Sequence, residues 1–340
     1  MSVFIIAEAG VNHNGDLETA KLLVDAAVDA KCNAVKFQTF KTEKLVTKRV
    51  SKVGYQIQNT HESGTQFDML KKLELGEYEH RVLFKYCKEK GIGFMSTPFD
   101  EESADFLEEL GMDIFKIPSG EITNKYFLKH IARKNKTIIL STGMSTFEEV
   151  EETVGWIYEE GNRDLALLHC TSCYPAQYDD VNLKAIITLK NCFNLKTGYS
   201  DHTLGTEITI GAVAIGAEII EKHITLDRTM KGPDHRCSLE PEEFKRMVLS
   251  IRNMEAALGD GIKKPAESEL EVRNLARKYI VADKRIYAGQ RISRNMLSLK
   301  RSGGGIEPKY IDGIVGAVAV RDLEQGAIIK EGDFELYVSQ

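Results

Sequence analysis

The sequence predicts an α/β protein: a (β/α)8 TIM barrel followed by a small, mostly-β tail. Three observations carry this prediction. Eight short apolar or β-branched runs recur between residues 3 and 225, and amphipathic helical stretches lie between them. Polar, chemically able residues gather at the C-terminal end of nearly every run. Eight strands, each followed by a helix, is the count that closes a parallel barrel, and in a barrel those strand ends share one rim.

The expected strands are 3–8, 34–40, 93–98, 114–119, 137–142, 165–171, 195–200 and 218–225. Segments 17–30, 67–90, 101–110, 147–160 and 241–258 show apolar residues three and four apart, the spacing of helices that pack one face on a sheet. A small-residue stretch, 205–217, supplies a helix between the last two strands. At the strand ends stand Glu8, Lys36, Gln38, Ser96, Lys116, Ser119, Glu121, Ser141, Tyr174, Ser200, His202 and His223. Strand stops account for serine and threonine. They do not account for Lys36 and Lys116, set inside otherwise apolar runs where an unpaired ammonium is costly.

His202, in Gly198-Tyr199-Ser200-Asp201-His202-Thr203, and His223, in Glu221-Lys222-His223-Ile224-Thr225, close neighbouring strands. Side by side on one rim they make the start of a two-histidine metal site. One connection is abnormally long: residues 41–66, rich in Lys, Thr, Ser, Gln and Asn, leave the functional rim before the next helix, as a lid does.

Composition changes after Gly259-Asp260-Gly261. The expected organisation is a barrel over 1–261, a polar connector over 262–281 and the tail over 282–340. Within the tail, Lys284-Arg285-Ile286-Tyr287-Ala288-Gly289 is faintly echoed by Arg321-Asp322-Leu323-Glu324-Gln325-Gly326, each a turn feeding a short strand. A segment of about 60 residues buries little surface alone. A partner is therefore expected.

Bulk properties narrow the function. A length of 340 residues fits about two domains. The net charge of −6, without a basic stripe interleaved with aromatics, argues against nucleic acid. No basic segment precedes the first apolar run and no window approaches a membrane span, so neither a signal peptide nor a membrane is expected. Six cysteines without a framework spacing fit a reducing cytoplasm. Cys170 and Cys173 form a C-x-x-C that Tyr174-Pro175 follows at once, unlike a redox motif opening a helix, and no second pair completes a zinc site.

Read in order, Ile6-Ala7-Glu8-Ala9-Gly10-Val11-Asn12-His13-Asn14-Gly15, Val35-Lys36-Phe37-Gln38-Thr39, Ser96-Thr97-Pro98-Phe99, Lys116-Ile117-Pro118-Ser119-Gly120-Glu121, Leu140-Ser141-Thr142-Gly143-Met144, Tyr199-Ser200-Asp201-His202-Thr203, Glu221-Lys222-His223 and Gly232-Pro233-Asp234-His235 closely resemble the sialic acid (N-acetylneuraminate) synthase family. The tail resembles that family's antifreeze-like (SAF) domain. The resemblance implies an enzyme that condenses phosphoenolpyruvate with an N-acylated mannosamine-type sugar, releasing phosphate and giving a nine-carbon 2-keto acid. It implies Lys36 and Lys116 on the anionic groups of phosphoenolpyruvate, with Ser119, Ser141, Ser172 and Ser200 donating hydrogen bonds. Some family members carry asparagine where Ser172 stands. A divalent ion on His202 and His223, Mn2+ or Mg2+ by analogy, would polarise the sugar's aldehyde oxygen. Glu8 and Glu121 would move protons and stabilise the cationic centre left at C2. Gln38, Tyr174, Glu221 and Asp234 would surround the sugar, with Asn59 or His61 reaching it from the lid.

The resemblance also implies a homodimer in which Arg301, in Leu299-Lys300-Arg301-Ser302-Gly303-Gly304-Gly305, enters the neighbouring protomer's site. Here Ser302 and Gly304 stand where the family usually has proline and asparagine. N-acetylmannosamine is the first acceptor expected, with the N,N′-diacetyllegionaminate precursor as the alternative. The Gly232-Pro233-Asp234-His235 motif speaks against a pseudaminate synthase. The two phosphate-suited lysines speak against a pyruvate-dependent metal aldolase, and the complete rim against a non-enzymatic binding protein.

Overall fold

In the computed structural model, which describes residues 2–60 and 63–336, eight parallel strands form the sheet that apolar patterning predicts. They are β1 (Phe4–Gly10), β2 (Ala34–Thr39), β3 (Gly93–Pro98), β4 (Ile114–Ile117), β5 (Thr137–Ser141), β6 (Leu165–Cys170), β7 (Lys196–Asp201) and β8 (Ile219–His223). The hydrogen-bonded order is β3-β2-β1-β8-β7-β6-β5-β4. Its two ends, β3 and β4, lie side by side, so the barrel is nearly closed.

Strict alternation along each strand builds two cores. Ile6, Ala34, Met95, Ile139, Ala166, Leu168 and Ile219 point inward and plug the barrel. Ile5, Ala7, Val35, Phe37, Tyr199 and Ile220 point outward against the helices, as do Phe115, Ile117, Ile138, Leu140, Leu165 and Leu167 on the other side. Above the inner plug, the next inward positions carry Glu8, Lys36, Lys116, Ser141, Cys170, Ser200 and Glu221. The same alternation corrects one rim assignment. Ser96 faces the helix layer, where its hydroxyl meets Thr39 Oγ1 at 2.7 Å, and Thr97 is the residue that points in.

Two helical expectations change. Residues 67–90 form two helices, Gln66–Leu73 and Glu77–Lys90, because Glu74 and Gly76 adopt extended backbone at their junction. Residues 41–66 contain the short helices Thr42–Leu45 and Gly54–Thr60. Asn59 Nδ2 donates to Pro233 O at 2.7 Å, tying this segment to the loop after β8. His61 lies outside the described residues.

The compact unit containing the barrel ends at Gly259, and a second spans 260–340. In the second unit β9 (Lys278–Ala282) pairs antiparallel with β10 (Leu297–Arg301), and β11 (Val318–Ala319) with β12 (Phe334–Glu335). The first of these strands starts inside the segment expected as connector. The unit holds a small core of its own around Ile280, Ile286, Ile292, Leu297, Leu323 and Ile329. The two echoing segments meet: Ile286 and Leu323 exchange backbone hydrogen bonds of 2.9 and 2.8 Å, and Arg285 pairs with Asp322. Among the described residues, no helix is long and apolar enough to cross a membrane.

Candidate active site

A cavity of about 780 Å3 opens at the C-terminal ends of the barrel strands. Glu8, Lys36, Gln38, Lys116, Ser119, Ser141, Ser172, Tyr174, Ser200, His202, Glu221, His223 and Asp234 all line it. Glu121 does not. Its carboxylate accepts from Asn124 Nδ2 at 2.7 Å, beside the N-cap of helix Lys125–Arg133, so the proton-handling place expected for it is outside the cavity wall. Arg301 belongs to the second unit, exposed at the end of β10.

Four buried charges form the floor. Lys36 Nζ lies 2.7 Å from Glu8 Oε2 and 3.7 Å from Glu221 Oε2, and it donates to Thr97 Oγ1 at 3.0 Å. Lys116 Nζ lies 3.6 Å from Glu221 Oε1, which also accepts from Ser200 Oγ at 3.0 Å. Register explains the proximity, since Glu8 is paired with Lys36 across β1/β2 and Ser200 with Glu221 across β7/β8. A bulge between Glu8 and Gly10 turns the chain out of the strand, and Gly10 takes a positive φ of 52°.

Burial pushes the Glu8 carboxyl up to about 7, although Lys36 pulls the other way. At Glu221 burial is overcome by Lys116 and Lys36, which hold it ionised at about 2. Burial also pulls the Lys116 ammonium down. With all four groups charged the floor is neutral, so an incoming polyanion meets no repulsion and raises the proton affinity of Glu8. At pH 8, where a phosphate monoester is already ionised, Glu8 begins mostly deprotonated and anion binding should take up protons. Calorimetry of phosphoenolpyruvate binding in buffers of different ionisation enthalpy checks this, with Glu8→Gln removing much of the uptake; equal uptake in both proteins would exclude Glu8 as its source.

Four serines, Ser119, Ser141, Ser172 and Ser200, line the same cavity as Lys116. The Ser119 hydroxyl accepts from Gly143 N at 2.9 Å and turns its own proton toward the Cys170 sulfur, from which a bound oxyanion could take it over. Ser141 Oγ is buried without a partner, an arrangement that a bound oxyanion would satisfy. Ser200 differs from expectation in donating to Glu221. A Cβ on Gly143 would collide with Ser172 Oγ and lie 2.9 Å from Ser119 Oγ. Gly143→Ala is therefore expected to weaken phosphoenolpyruvate binding by about tenfold or more with the melting temperature nearly unchanged, measurable by calorimetry.

On the far wall, Tyr55 of the 54–60 helix stacks on Tyr174 at 5.4 Å, and Tyr174 packs on His202 at 4.1 Å between ring centroids. Asp234 stands nearby, raised by burial to about 6. Its neighbour from the lid, Asn59, spends its amide on Pro233 O and Arg236 rather than on the cavity. Val46, Val53, Met69, Leu70 and Phe99 give the lid side an apolar wall.

The His202 and His223 rings are 5.5 Å apart. His202 Nδ1 donates to Thr171 O at 2.8 Å, a bond that leaves Nε2 with its lone pair. His223 Nδ1 is buried without a partner, and burial with the nearby cations keeps this imidazole neutral. At His202 burial is outweighed by the neighbouring Cys170 sulfur, which raises its proton affinity, so it is in its neutral form that this ring would join His223 in offering a free nitrogen to a divalent ion. Among the described residues no group of three or more metal-ligating side chains converges, so water and substrate oxygens would complete its shell.

Sequence inspection alone missed three contributors: Thr97, which strand alternation identifies; Tyr55, hidden in an irregular lid; and the Asp201–Lys222 pair behind the histidines.

The family model described as NeuB family matches residues 23–263, and the SAF domain model matches 277–335. The chain belongs to the NeuB family. It is 51% identical to the N,N′-diacetyllegionaminic acid synthase of Legionella pneumophila, over 97% of this chain and 94% of that one. It is 47% identical to the enzyme of the same name from Campylobacter jejuni, over 96% and 98%. Among solved structures, the N-acetylneuraminic acid synthetase of Leptospira borgpetersenii superposes with a TM-score of 0.72 at 40% identity, covering 81% of this chain and 92% of that one. NeuB family membership, the barrel and the SAF tail thus agree with the motif resemblance.

Proposed function

We propose that this NeuB protein condenses phosphoenolpyruvate with a diacetylated mannosamine-type sugar, as an N,N′-diacetyllegionaminate synthase. The two relatives bearing that name are 51% and 47% identical to it, against 40% for the N-acetylneuraminic acid synthetase, which favours this acceptor over N-acetylmannosamine. The apolar lid wall supports the same choice. A second acyl group and a deoxygenated C6 give the sugar more apolar surface to bury than N-acetylmannosamine has.

The single observation that carries the phosphoenolpyruvate half is the presence of two buried lysines, Lys36 and Lys116, on one cavity floor with the unpartnered Ser141 hydroxyl in the same wall. These groups bind and orient the anion. Glu8, poised near neutrality, gives or takes a proton at the floor, and ionised Glu221 offsets the cationic centre at C2. A divalent ion, Mn2+ or Mg2+, held by His202 and His223 would supply Lewis acidity to the sugar's aldehyde. Tyr174 and Asp234 orient the sugar beside them. Inorganic phosphate released from phosphoenolpyruvate only when both a mannosamine-type sugar and a divalent ion are present tests the reading. Turnover on pyruvate instead would favour an aldolase and overturn it.

Assembly is part of the same proposal: a homodimer whose Arg301 residues each complete the opposite site. Mixing Arg301→Ala with His202→Ala protein under subunit exchange should restore partial activity, because some heterodimers then hold one intact site. No recovery, with exchange demonstrated and each parent inactive, would place Arg301 outside the partner's chemistry.

A further inference from the structure

Behind the two histidines, on the outer face of the barrel wall, lies an ion pair that nothing in the substrate chemistry uses. Lys222 Nζ is 2.8 Å from Asp201 Oδ2, and both side chains are 0% exposed. Lys222 falls between Ile220 and Ile224, at a position where the outward alternation of β8 calls for an apolar residue. Asp201 and Lys222 are register partners across β7/β8, and each is the backbone neighbour of one histidine. A buried pair of this kind is often no more stable than a well-packed apolar replacement, so its presence asks for a reason other than stability.

The hydrogen bonds supply one. Asp201 Oδ1 accepts from Thr203 N and Thr203 Oγ1, both at 2.8 Å, while Oδ2 accepts from Thr209 Oγ1 at 2.5 Å. Lys222 Nζ also donates to Thr203 O at 2.6 Å. The turn carrying His202 is therefore clasped on both sides: by Asp201 from its own strand and by Lys222 from the strand that carries His223. His202 O is held in addition by Ala176 N at 2.9 Å. His223 O likewise accepts from Leu239 N at 2.9 Å, so each end has an anchor of its own, but the ion pair ties the two ends to each other, and a relative shift of the two backbones would move one imidazole against the other.

We propose that Asp201 and Lys222 are positioning residues that fix the spacing of His202 and His223 and thereby set the affinity of this rim for a divalent ion. This rests on the reading that the two histidines hold such an ion. The pair touches neither substrate. Its removal should leave phosphoenolpyruvate binding at the Lys36–Lys116 floor intact.

The test is direct Mn2+ binding, followed by electron paramagnetic resonance of the free ion. The proteins are the wild type and the double variant Asp201→Asn/Lys222→Met, which keeps an acceptor for Thr203 N and leaves no unpaired charge. Circular dichroism confirms folding, and calorimetry with phosphoenolpyruvate is the internal control. The expected result is a Mn2+ affinity about 10- to 100-fold weaker, the range typical of lost outer-sphere support, with phosphoenolpyruvate affinity within about twofold. Asp201→Asn alone, nearly isosteric, should shift Mn2+ affinity in the same direction and provides the answer if the double variant does not fold. Wild-type protein that binds Mn2+, beside a folded variant that binds it equally well, overturns the positioning role alone. Wild-type protein that fails to bind Mn2+ overturns the two-histidine site and this inference with it.

Discussion

Lys116→Met should raise KM for phosphoenolpyruvate by about 100-fold or more while the protein remains folded. Lys116 is buried in the cavity that the serines also line, and methionine nearly preserves its volume. Deleting its charge leaves Lys36 facing Glu8 and Glu221, so a floor that was neutral becomes net negative where a trianion must sit. Truncating one partner of a buried charge contact to a ligand costs about 2–5 kcal/mol of binding, and each 1.4 kcal/mol is tenfold in affinity. Steady-state kinetics at saturating sugar checks this. An unchanged KM would take Lys116 out of the anion site.

His202→Ala and His223→Ala should each lower kcat by about 1000-fold or more, with phosphoenolpyruvate binding preserved. Either change leaves a single protein nitrogen for an ion that competes with water, since no third ligand converges among the described residues. The anion subsite proposed here uses Lys36, Lys116 and the serines and neither histidine, so calorimetry with phosphoenolpyruvate should separate the two losses. Wild-type turnover of either variant at low free metal would remove the Lewis-acid role.

The barrel was legible because its strands are apolar on both faces and its helices on one, as in any parallel sheet covered by helices. The floor was legible for a related reason: Lys36 and Lys116 break apolar runs, and a buried ammonium calls for a counter-charge, which Glu8 and Glu221 supply. Ser96 and Thr97 show the limit. Adjacent small polar residues differ only in the face they take, and neighbouring Met95 in the inner plug fixes which one points in. Glu121 shows another, since the chain turns into a 310-helix at Ser119–Glu121 and carries that carboxylate out of line with the strand. Lys222 and Asp201 stood in quoted motifs, but their partnership depends on register between strands that single-chain patterning does not specify. The lid resisted for lack of periodicity: its short helices are held by tertiary bonds such as Asn59 to Pro233 O rather than by an apolar face of their own.

A one-pot competition, with equal concentrations of the diacetylated trideoxymannose and N-acetylmannosamine, limiting phosphoenolpyruvate and Mn2+, reports the ratio of kcat/KM directly through the masses of the two keto acid products. A pocket that buries a second acyl group and a methyl should favour the diacetylated sugar by about tenfold or more, since one well-buried methyl or methylene is worth about 1–3 kcal/mol. Predominant formation of N-acetylneuraminate would contradict the assignment.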